Sequence, residues 1–153
     1  MKRALASVSI VLLATTALAV DKKKVAYVGG TLEGVKEKIE GTLVDISGES
    51  FQWKIDKTGT VINIPYARFI ELEYGQKAGH RVKTAILLSP IALFKKSRHH
   101  YVTITFKDAQ DKEQAGVFEF GKEIIRTDLK VMSVRSGQPI HFTDEDSQKN
   151  FGK

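Results

Sequence analysis

The six residues Ser50 to Ile55 constrain the fold of this chain most, because Phe51, Trp53 and Ile55 alternate there with Gln52 and Lys54. A period of two sets the three large apolar side chains on one face of a strand and the polar pair on the other, whereas a helix would scatter them around its circumference. Lys57-Thr58-Gly59 then supplies a turn. Thr60 to Ile64 reads as the returning strand, stopped by Pro65, which has no amide hydrogen to give a ladder. The alternation recurs in Arg68 to Tyr74, with Ile70, Leu72 and Tyr74 expected inward and Glu71 and Glu73 outward. It recurs again in Tyr101 to Phe106, where Val102, Ile104 and Phe106 oppose Thr103 and Thr105. Lys38 to Ile46, Gln114 to Phe120 and the apolar run Val82 to Leu88, expected to be covered on both faces, complete seven strands. Val25 to Val28 adds at most an edge strand.

After Gly121 the period changes. Ile124, Ile125, Leu129, Val131, Met132 and Val134 form a helical stripe, Glu123 sits in its first turn, and Gly137 followed by Pro139 marks its end. Thr143 to Lys153 is acidic at Asp144, Glu145 and Asp146 with little to bury, and is expected to be a disordered tail. Trp53 is expected in the core.

At the other end, Met1 to Val20 has a basic start, an apolar centre at Ile10 to Leu13 and small residues at Ala17 and Ala19. These are the parts of a secretory signal peptide cut after Ala19. The stretch carries Ser7, Ser9, Thr15 and Thr16, and a bilayer span needs about 20 mostly apolar residues. The expectation is an exported chain, periplasmic or secreted, with no transmembrane span after cleavage. The chain has no cysteine, so neither a disulfide nor a lipidated cysteine holds it.

The expected layout is a signal peptide at 1–19, an N-terminal extension at 20–37, one folded domain at 38–142 and the tail at 143–153. No repeat or linker interrupts the domain. Seven strands followed by one amphipathic helix resembles the order of the pleckstrin-homology and GRAM domains. The resemblance covers Lys38 to Gln138 and implies an α+β, mainly β fold: a seven-stranded antiparallel barrel or sandwich closed by one C-terminal helix. The elements "IPYARFIELEYGQK", "SPIALFKKSRHHYVTI" and "FEFGKEIIRTDL" are also similar to uncharacterised exported bacterial proteins. Pleckstrin-homology domains draw their lipid-binding bases from the first hairpin; here Asp45, Glu49 and Asp56 occupy that end.

The formal charge of +6 falls to +4 once Lys2 and Arg3 leave with the signal, but its distribution is more telling. No acidic residue lies between Glu73 and Asp108, while Lys77, Arg81, Lys83, Lys95, Lys96, Arg98 and Lys107 all do. So sharp an asymmetry points to an anionic partner. Its densest part, Ser89 to His100, joins an apolar half at Ile91, Leu93 and Phe94 to a basic half at Lys95, Lys96, Arg98, His99 and His100. In a barrel this would be the loop between neighbouring strands Val82 to Leu88 and Tyr101 to Phe106. Either the apolar half packs on the barrel and the bases face water, or the apolar half touches a membrane or partner while the bases meet anionic groups.

Other chemistries find less support. Gly116 to Glu123 nearly spells a phosphate loop, but its first residues are strand and Glu123 stands where the magnesium-binding hydroxyl belongs. Lys122 and Arg126 could hold an anion at the helix start, where Glu123 already complements the dipole. His99 and His100 are adjacent in a strand, point to opposite faces and cannot share one ion, and no second ligand motif brings in His80 or His141. No nucleophile elbow, zinc-protease or dinucleotide motif occurs. No aromatic is interleaved with the bases to stack on nucleotides, so nucleic acid is not expected. The reading is an exported, non-catalytic binding module without cofactor or metal. It contacts a lipid headgroup or acidic protein surface through Arg81, Lys83, Lys95, Lys96, Arg98, His99 and His100, with Ile91, Leu93 and Phe94 as the apolar contact. The alternatives are an enzyme whose site has no sequence motif, and a passive envelope or assembly component using a strand edge.

Overall fold

The computed structural model describes residues 23–76, 99–143 and 145–151, except the side chain of Asn150. Among them eight strands form one sheet: β1 (Lys24–Gly30), β2 (Ile39–Asp45), β3 (Ser50–Ile55), β4 (Val61–Pro65), β5 (Phe69–Gly75), β6 (His100–Lys107), β7 (Glu113–Phe120) and β8 (Ile140–Phe142). Their order is β4-β3-β2-β1-β7-β6-β5-β8. All ladders are antiparallel except β5 with β8, which is parallel. A single 3-10 turn, Tyr66–Arg68, links β4 to β5, and the helices are α1 (Ile125–Ser136) and α2 (Glu145–Phe151).

The fold is therefore mainly β, as expected, but the sheet is open and mixed rather than a closed antiparallel barrel, and among the described residues there are two short helices instead of one. The sheet is nonetheless strongly curled. Strands β3 and β7 lie three positions apart, roughly 14 Å on a flat sheet, yet the rings of Phe51 and Phe118 are 5.1 Å apart. Trp53 likewise meets Phe118 at 5.5 Å. Ile125, Leu129 and Met132 of α1 belong to the same buried cluster as Phe51, Trp53, Leu72, Tyr74, Ile104 and Phe118, so the helix fills the concavity. Gly137 ends that helix at φ 71°, the left-handed conformation glycine adopts without strain.

Several expectations need correction. Val25 to Val28 is no edge: β1 lies mid-sheet, paired to β2 and to β7. The extension at 20–37 thus contributes a central strand, and the folded unit starts well before Lys38. Ile70 is 38 % exposed, because the β5–β6 register shifts between Phe69 and Glu71 and turns Phe69 inward in its place. Val134 is 81 % exposed and outside the helical stripe, whose fourth buried member is Asp128. The tail expected to be disordered holds α2, with Ser147 buried and Phe151 packed on the core. The expected strand Val82 to Leu88 lies outside the described residues, and both ladder sides of β6 are occupied by β5 and β7.

Among the described residues, no helix is long and apolar enough to cross a membrane.

Candidate functional site

The antiparallel pairing of β6 and β7 builds the described part of the basic region. His100 begins β6 opposite Phe120, the last residue of β7, so the start of one strand lies beside the Gly121-Lys122-Glu123 turn that leads into α1. Two stretches some twenty residues apart thereby share one end of the sheet. His99 and His100 are half-buried there, and Lys122, Glu123 and Arg126 are exposed.

The two histidines point to opposite faces, as period two requires. His99 Nδ1 meets the Glu119 carboxylate, and its ring lies 5.9 Å from that of Tyr101. Burial, and then the nearby Glu119 charge, push the Tyr101 hydroxyl above its usual value. His100 faces the other way. Its Nδ1 lies 2.7 Å from the hydroxyl of buried Tyr74, and the rings stack at 6.0 Å and 15°. Burial first, then the charges of Lys122, His99 and Arg126, hold the His100 imidazole below its ordinary value, while Glu123 opposes them.

Of the candidate residues, only His99 and His100 are described; Arg81, Lys83, Ile91, Leu93, Phe94, Lys95, Lys96 and Arg98 lie outside the described residues. Lys122 and Arg126, read from sequence as a separate helix-start site, are brought into the same electrostatic neighbourhood as His100. Tyr74, read as core, is core and also the histidine's partner. No group of three His, Asp or Glu side chains among the described residues could hold a metal ion.

The carboxylates of the first hairpin have structural work. Asp45 accepts from the Ser47 amide and hydroxyl, both at 2.8 Å, and Asp56 pairs with Lys24 and Thr42. Those hydrogen bonds hold both carboxyls below the usual range. An ion pair to a fully buried carboxylate was among those the sequence reading missed: Lys23 Nζ contacts Asp128 Oδ1 at 2.7 Å, and Asp128 is 0 % exposed. Its trace in the sequence was an acidic residue falling on the buried stripe Ile125, Asp128, Leu129, Met132.

In comparisons with known proteins, no family model matches the chain, and no curated protein matches it significantly.

Proposed function

We propose that the protein is an exported binding module that contacts an anionic surface, a lipid headgroup layer ahead of an acidic protein, through the basic third of its chain. The observation that carries this reading is the β6–β7 register, which sets His100 opposite Phe120 and so beside the turn bearing Lys122 and the start of α1 bearing Arg126; burial first, and then those cations, lower the proton affinity of the His100 ring. It extends a stretch already free of acidic residues from Tyr74 to Lys107 with cations from another part of the chain. Clustered cations attract an anionic layer over about a Debye length and stay soluble in its absence. The assembly alternative loses the edge once expected at Val25 to Val28, since β1 is paired on both sides. The likeness of element order to pleckstrin-homology and GRAM domains belongs to the same proposal; it supports a common plan of strands then helix and leaves the ligand to the site.

The chain starting at Val20 is expected to co-sediment with vesicles containing anionic lipid and not with neutral ones, and to release as salt rises. Each base near such a surface contributes about 1 kcal/mol, so replacing Lys95, Lys96 and Arg98 together with Gln lowers affinity about a hundredfold. Binding to a soluble acidic polypeptide without binding to vesicles would assign the face to a protein partner. Indifference to both at low salt refutes the proposal.

A further inference from the structure

The curled sheet has a second buried face, on its convex side. Val102, Ile104 and Phe106 of β6 belong to the core cluster inside the curl, so Tyr101, Thr103 and Thr105, which alternate with them, point outward. On β5, Glu73 lies opposite Thr103 and Glu71 opposite Thr105. On β7, Glu119 lies opposite Tyr101, Val117 opposite Thr103 and Ala115 opposite Thr105. Elsewhere the convex side is wet, as at Glu40 of β2 and Lys54 of β3, both exposed. Over β6 and β7 it is dry: Tyr101 is 6 % exposed, and Thr103, Thr105, Ala115 and Val117 are buried with it. A tyrosine ring on an open sheet face reaches so low a figure only under a cover.

Neither described helix supplies that cover. Ile125, Leu129 and Met132 of α1 join the core cluster on the concave side. Phe151 of α2 packs there too, its ring 5.2 Å from Tyr74 and 5.6 Å from Phe142. Tyr101, Ala115 and Val117 are buried without belonging to that cluster.

We propose that the apolar run at 82–94, which lies outside the described residues, docks on this convex face, with its basic flanks against Glu71, Glu73 and Glu119. Attachment is the first argument. Gly75 pairs with Tyr101, so the chain leaves β5 and enters β6 at the rim of the face itself. Reach is the second. From Tyr101 to Thr105 is roughly 13 Å along the strand, and the residues between Gln76 and His99 can cross it and return even at a helical rise of about 1.5 Å each. Chemistry is the third. The run has Arg81 and Lys83 at its start, Lys95, Lys96 and Arg98 at its end, and no acidic residue, while the apolar strip is bordered by carboxylates on β5 and on β7. The other apolar stretch, at Ile10 to Leu13, has its bases only at Lys2 and Arg3, and so lacks cations on both flanks. This goes beyond the anionic-surface reading and does not depend on it. It turns Ile91, Leu93 and Phe94 towards the sheet rather than a membrane, and the bases in excess of the three carboxylates stay available to an anionic layer.

The chain has no cysteine, so a Thr103→Cys substitution in the full chain reports access to the face through its rate of alkylation by iodoacetamide. Under native conditions the thiol should react far more slowly than a free cysteine at the same pH. Adding Ile86→Ser, Ile91→Ser and Leu93→Ser should speed the reaction about tenfold or more for each apolar side chain withdrawn. Leu12→Ser with Leu13→Ser should leave it slow. If the triple serine variant does not fold, Glu71→Gln with Glu73→Gln decides: native alkylation should accelerate as salt screens the docked bases, and the double glutamine variant should be faster at low salt and nearly insensitive to salt. A thiol that reacts at the free rate in the otherwise native chain overturns the proposal. So does one that stays slow in a folded triple serine variant, or, where that variant does not fold, one that is unaffected by the glutamine pair. Opening by the Leu12 and Leu13 changes instead would assign the cover to the leader and equally overturn it.

Discussion

The curl of the sheet depends on one missing side chain, and restoring it should unfold part of the core. Trp53 of β3 is fully buried, and its indole crosses Gly41 of β2 to donate Nε1–H to the Val25 carbonyl of β1 at 2.9 Å. A Cβ on Gly41 would stand 2.3 Å from Trp53 Nε1, 2.4 Å from Cε2 and 2.5 Å from the Lys54 carbonyl oxygen. Two effects of Gly41→Ala oppose each other. Reduced freedom of the unfolded chain favours alanine by about 0.5–1 kcal/mol. Against this, the indole must be displaced. Stranding a buried donor and acceptor costs about 1–3 kcal/mol, and overpacking a filled core costs a similar amount. Sterics therefore win, with a net loss of about 1–5 kcal/mol, a large share of the 5–15 kcal/mol typical of a domain. Urea unfolding followed by the fluorescence of Trp53, the only tryptophan, reads this directly as a lower midpoint. A Gly41→Ala chain as stable as the native one would refute the account of the curl, because the entropic term alone predicts a gain.

The Lys23–Asp128 pair should respond asymmetrically in thermal melts. Lys23→Ala strands a buried carboxylate whose Oδ2 already has no hydrogen-bond partner among the described residues and should cost about 3–5 kcal/mol, whereas Asp128→Asn frees a lysine that is 40 % exposed and should cost less; equal losses would contradict the pairing. Met132→Ala, at a position with no exposure, should lose about 2–5 kcal/mol in chemical unfolding if α1 is core rather than a peripheral cover. If the proposed signal is cleaved, terminal sequencing of the mature chain should begin at Val20, and recovery of an intact Met1 in the membrane fraction would exclude the proposed cleavage.

Local patterns located β2 to β7 and α1, because side-chain direction repeats every two or every 3.6 residues whatever the partner, but not β8 or α2. Phe51, Trp53 and Ile55 are all buried, α1 stops at Gly137, and the divergence of His99 and His100 followed from period two before any contact was known. The sequence also showed the acid-free stretch that frames the proposed function. Partner choice was not legible. Nothing in Lys24 to Gly30 says that β7, some ninety residues away, will pair with it and make it a central strand, nor does Ile70 reveal the register shift that turns it outward. The seven residues of α2 are too polar and too few to fold alone. Only the seat made by Tyr74 and Phe142 makes burying Phe151 favourable enough to order them. The same holds at the candidate site. His100, Tyr74, Lys122 and Arg126 come from four elements or turns, and only the antiparallel docking of β5, β6 and β7 sets an imidazole between a buried hydroxyl and two cations. Such long-range pairings carry no periodic trace in the chain, because their energy comes from contacts that exist only once the sheet has curled over its core.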